Sequence, residues 1–180
     1  MLDGPAGIAA AAETLGGLEA VVHAVDADGL AEAPFAECDD AAWLRLAETP
    51  IWESLTAFQA AYAAFAGGGG SIVALVPSIA LTGAARLAPF ASACEGVRQL
   101  VKSAARAWGR ERITVNCLTL PIEAWGLEPA HPVPNRYGPS LDRPAGDAEL
   151  AGAIAYLAGP LGAAVTGATI GLDRGTVLAP

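Results

Sequence analysis

Short apolar runs of strand length recur along this chain, each separated from the next by a stretch of helical periodicity. That alternation restricts the fold more than any other feature. Residues 18–25, 71–76, 113–118 and 168–172 are such runs, bounded by glycine, proline or charged residues. Residues 39–66, 86–109 and 147–159 between them carry apolar positions at helical spacing. An alanine-rich helix at 6–15 precedes the first run, with Pro5 as a first-turn residue and Gly16-Gly17 as its stop. Asp39-Asp40 offers an N-cap to the long helix, and Thr49-Pro50 kinks it or divides it in two. Asp147 is expected to cap the last helix. Strands separated by helices imply an α/β fold, a three-layer α/β/α arrangement with a parallel sheet and helices on both faces. One domain spanning residues 1–180 accounts for the whole pattern.

Composition narrows the function. A chain that is 53% hydrophobic and 16% charged is compact rather than disordered. Its formal net charge of −9 argues against nucleic acid or an anionic membrane surface as a partner. Cys38, Cys94 and Cys117 are too widely and irregularly spaced for a metal motif or a disulfide framework, which predicts reduced thiols and no metal. Met1-Leu2-Asp3-Gly4-Pro5 has neither a basic nor an apolar leader region, and charged residues or proline interrupt every apolar run. The expectation is a soluble, bacterial-style cytoplasmic protein.

Four motifs in order carry a resemblance. Gly69-Gly70-Ser71-Ile72-Val73 looks like a Gly-Ser-Ile-Val entry into a strand. Gly96-Val97, continuing through Leu100-Val101-Lys102-Ser103-Ala104-Ala105, looks like the helix that follows it. Ile113 to Asn116 is similar to an Ile-Arg-Val-Asn strand, and Thr166-Gly167-Ala168-Thr169-Ile170 with Asp173 resembles a Thr-Gly-Gln-X-Ile…Asp-Gly-Gly ending. Together they resemble the short-chain dehydrogenase/reductase family, particularly its 3-oxoacyl-carrier-protein reductase-like members. The resemblance implies a Rossmann-like domain that is N-terminally truncated, lacking the first β-α-β nucleotide-binding half. Residues 121–143, rich in proline and glycine, correspond to the family's substrate lid.

The same alignment implies a degenerate active site. The family binds NAD(P) through a glycine-rich turn after its first strand and uses an Asn, a Ser, and a Tyr and Lys four apart. Here Asn falls on Pro50, Ser on Pro77, Tyr on Phe90 and Lys on Cys94. Ser78, next to Pro77, is the residual catalytic candidate. Asp3, His23 and Asp26 occupy vestigial cofactor-lining positions. On this reading NAD(P) binding is lost and no cofactor is expected.

The leading expectation is a pseudoenzyme: a non-catalytic subunit forming a homo- or hetero-oligomer with an active homologue. The helices around 43–66 and 86–109 and the closing strand at 166–173 would provide the assembly surfaces, and the run at 18–25 becomes a sheet edge. The alternatives are a divergent enzyme, oxidoreductase-like or lyase- and dehalogenase-like, using Ser78 with His23 or His131, and a module that binds a small apolar ligand under the 121–143 loop. Arg98, Lys102, Arg106 and Arg110 recur every four residues and form one helical stripe, a solvated face or a dock for an acidic partner.

Overall fold

The computed structural model describes residues 4–27, 30, 32–127, 140–142 and 146–177. Four parallel strands form one sheet in the order β1-β2-β3-β4: Ala20–Ala24, Gly70–Pro77, Ile113–Leu120 and Thr169–Gly171. The helices are α1 (Gly4–Leu15), α2 (Asp40–Trp43), α3 (Thr49–Ala64), α4 (Ile79–Thr82), α5 (Ala88–Trp108) and α6 (Asp147–Ala158). The α/β class and the parallel sheet are as expected from the alternation.

Strand geometry divides the core into two layers, because alternate residues point to opposite faces. Ile72, Ala74 and Val76 on β2, with Ile113, Val115 and Cys117 on β3, face α3 and α5 in the larger cluster. Val73 and Leu118 point the other way, against Leu157 of α6. That second layer does not extend over β1, where Val22 remains 44% exposed. Ser71 fastens α6 to the sheet, its hydroxyl donating to the Leu157 carbonyl at 3.0 Å.

Two glycines are required by close approach. Gly69 has φ +86°, and a Cβ there would lie 2.9 Å from the Arg112 carbonyl oxygen. Gly96 lets α5 sit on α3, since a Cβ would meet Ile51 Cδ1 at 2.7 Å. Arg98 then ties α5 to β4: its guanidinium forks onto Glu95 at 2.7 and 2.9 Å and reaches Thr169 Oγ1 at 3.0 Å. Of the basic stripe, Arg106 and Arg110 are exposed.

Local differences from expectation have local causes. The helical run does not divide at Pro50; a π-type turn over Leu44–Glu48 carries it through. Thr49 closes that turn, sending both its N–H and its hydroxyl (3.0 Å) to the Leu44 carbonyl, and Pro50 follows within the first turn of α3, where its missing N–H is tolerated. At α6 the N-cap is Gly146 rather than Asp147, with Glu149 Oε2 accepting the Gly146 N–H at 2.9 Å.

Candidate functional site

In a parallel α/β sheet, ligands gather at the carboxyl ends of the strands, where loops leave the sheet. Here those ends bring His23 and Asp26 from β1, Pro77 and Ser78 from β2, and Thr119 from β3. Pro50 and Ser54 come from α3, and Phe90 and Cys94 from α5. Asp3 and His131 lie outside the described residues, as does much of the 121–143 loop.

His23 is held by contacts on two sides. Its Nε2 lies 2.8 Å from Ser54 Oγ, and Ser54 Oγ donates to the Pro50 carbonyl at 2.7 Å. A hydroxyl has one proton, so with Ser54 donating to Pro50 the imidazole must supply the other bond. Nε2 of His23 therefore carries a proton. The Phe58 ring meets it edge-on at 5.8 Å and 85°. Sequence reasoning missed Ser54, whose partner stands 31 residues away; its only local signal is the four-residue step from Pro50.

Burial pushes the His23 pKa below its ordinary value of 6.5. A lowered folded value means that the unfolded chain takes up a proton the folded chain refuses. Stability should therefore decline as pH drops below 6.5. Urea midpoints at several pH values check this. His23→Gln should flatten that limb, and an unaltered profile would assign the effect to another group.

Ser78 is buried and engaged through its backbone. Its N–H donates to the Leu120 carbonyl at 2.7 Å and its own carbonyl accepts the Leu81 N–H at 2.9 Å. Among the described residues no hydrogen bond joins it to His23, whose partner is Ser54. Asp26 is exposed and close enough to Glu53 to add to the rise in that carboxyl's pKa, after the larger effect of burial. Trp125 folds over the end of β1, its indole N–H donating to the Val25 carbonyl at 2.8 Å. The opening turn of the lid-like loop, Ile122–Trp125, is thereby anchored to the sheet.

Phe90 and Cys94 do not line an open cleft. They are 1% and 0% exposed and belong to the main core. Burial drives the Cys94 thiol far above its ordinary range and Cys117 up to about 12. Both stay neutral and unreactive.

A family profile described as enoyl-(acyl carrier protein) reductase matches residues 4–177. The chain belongs to the short-chain dehydrogenase/reductase family. Solved structures show the same fold at low identity. An acetoin dehydrogenase from Salmonella typhimurium is 20% identical with a TM-score of 0.78, covering 98% of this chain and 71% of its own. A mutant short-chain dehydrogenase/reductase from Serratia marcescens is 24% identical with a TM-score of 0.75, covering 96% and 72%. An acetoin dehydrogenase from Enterobacter cloacae is 22% identical with a TM-score of 0.73, covering 93% and 69%. No curated protein sequence matches the chain.

Membership corrects one expectation. The expectation that no cofactor belongs to this chain is overturned, because the family is one of NAD(P)-dependent dehydrogenases and reductases. The described residues nevertheless do not reproduce how the resemblance would grip and use the nicotinamide end. Buried Phe90 and Cys94 offer neither the phenol nor the ammonium, and what β3 supplies is the Thr119 hydroxyl, buried and without a hydrogen-bond partner among the described residues. Among the described residues no cluster of His, Cys, Asp and Glu could hold a metal ion, and no helix is long and apolar enough to cross a membrane.

Proposed function

We propose that this chain is a catalytically silent short-chain dehydrogenase/reductase subunit that assembles with an active homologue and supports its site. The burial of Phe90 and Cys94 carries the reading. A phenyl ring has no proton to give, and a neutral thiol cannot lower a neighbour's pKa as an ammonium does. Losing a general acid costs about 10²–10⁴-fold in rate. The reading concerns chemistry, not nucleotide occupancy.

Assembly is supported by the surface that the helices keep. Along the run from α2 to α3, Trp43, Leu44 and Trp52 are 43%, 53% and 65% exposed. Large apolar side chains concentrated on one helical stretch suit a protein-facing surface. Free Cys38, Cys94 and Cys117 agree with a reducing, cytoplasmic compartment.

Co-expression with an intact reductase of the family tests the reading. A hetero-oligomer of defined mass by light scattering is expected, with the reductase's turnover altered when this chain is present. A monomer that leaves the reductase's mass and rate unchanged would overturn the proposal.

A further inference from the structure

The turn Phe35–Glu37, α2 and the first residues of α5 border an open surface cavity of about 270 Å³, lined by Phe35, Cys38, Asp39, Asp40, Trp43 and the Ala88-Pro89 step. Its chemistry is one-sided. Two aromatic rings and two carboxylates line it, and among the described residues no basic side chain does. Phe35 is 82% exposed and Trp43 43%. Asp39 Oδ1 accepts the Ala42 N–H at 2.7 Å, which holds the carboxylate in place and leaves Oδ2 for a ligand.

We propose that this cavity binds a guanidinium group. Asp39 and Asp40 would repel an anion, and a neutral apolar ligand would strip water from the carboxylates with nothing in exchange. A quaternary ammonium would suit the rings but brings no N–H for the carboxylates. Guanidinium meets both demands: it is planar and weakly hydrated, stacks on aromatic faces, and presents paired N–H groups to carboxylate oxygens. The volume suits one head group rather than a drug-sized ligand, whose pockets begin at about 300 Å³. The chain's net charge of −9 also draws cations toward it. The cavity shares Trp43 with the surface that the subunit reading assigns to assembly, so its test uses the full chain without a partner.

Cys38 provides the readout. It lines the cavity and is half-buried, whereas Cys94 and Cys117 are fully buried. The rate of Cys38 modification in the full chain is measured with cationic and anionic methanethiosulfonates. The cationic reagent should be favoured by about tenfold over the same pair on a free cysteine peptide. Millimolar ethylguanidinium should slow the reaction, and tetramethylammonium at equal ionic strength should not. Asn caps a helix as well as Asp does, so Asp39→Asn with Asp40→Asn removes charge while keeping α2. That double variant should lose both the reagent preference and the protection at an unchanged melting temperature. Phe35→Leu, which keeps apolar bulk without a ring, should weaken protection. Protection by N-acetylarginine amide but not by free arginine assigns the group to a protein side chain, and protection by both assigns it to a small molecule. Absence of reagent preference in the parent protein, equal protection by tetramethylammonium, or protection that survives in the double variant overturns the proposal.

Discussion

Cys94→Lys, which puts back the family's lysine, is expected to unfold the protein rather than restore chemistry, with a stability loss of at least about 4 kcal/mol. Position 94 is 0% exposed, and its surroundings are those of the main core, with Val97 and Val101 on its own helix and Ala74 and Cys117 on the sheet. An ammonium placed there has no carboxylate or water to receive its protons, so it must either lose its charge or break the packing. Rotation of α5 is the one escape, and the middle of the helix is held against both α3 and the sheet. Gly96 is seated on Ile51, and Arg98 is bonded to Thr169. Phe90→Tyr should be milder, about 1–3 kcal/mol, because it buries one hydroxyl instead of a charge. Chemical denaturation of both variants checks the order of the two losses. A Cys94→Lys protein with parental stability and new reductase activity would show that α5 can present these positions to a substrate, and the silent-subunit reading would fall.

The same helix shows which parts of the molecule were legible in the sequence. Phe90, Cys94, Val97 and Val101 recur at steps of four, three and four, a core-facing stripe that needs no alignment to be seen. The family resemblance assigned two of those residues to an active site, and the structure shows the stripe to be core along its length. The strands were legible because each apolar run is bounded by turn residues. Their ends were nearly so: the paired residues are Ala20–Ala24 and Thr169–Gly171, and hydrogen bonds to the neighbouring strands continue through Glu19 and Val25 and through Ala168 and Leu172. At Pro50 the missing N–H is a local fact that predicts a kink or a division, whereas the π-type turn that Thr49 closes onto Leu44 needs the geometry of the residues before it. The His23–Ser54 pair was hidden for the same reason, since nothing near either residue announces the other.

Asn116 makes the second large effect predictable, and with it a sign that separates burial from geometry. The side chain is fully buried; Nδ2 donates to the Val165 carbonyl at 2.8 Å and Oδ1 accepts the Ala168 N–H at 3.1 Å. These bonds clasp β3 to the connection leading into β4, alongside the Val115 N–H on Thr166 Oγ1 at 3.1 Å and the Gly167 N–H on the Val115 carbonyl at 2.8 Å. Asn116→Asp keeps the acceptor and the shape, but it turns the donor into an oxygen facing the Val165 carbonyl. At neutral pH the loss should be about 3 kcal/mol, from an unpaired buried charge and the opposed lone pairs. Protonation of the introduced carboxyl would restore a donor, so its folded pKa lies above the unfolded value of about 3.9. The folded variant therefore holds its proton where the unfolded chain has released it. Its deficit relative to the parent should shrink as pH falls toward that value. The parent moves the opposite way below pH 6.5 because of His23. Urea titrations of both proteins at pH 7.5 and pH 5 bring the two trends into one experiment. A deficit that stays constant across the two conditions would mean that the introduced carboxyl has found solvent, and that the clasp around residue 116 opens more readily than its burial implies.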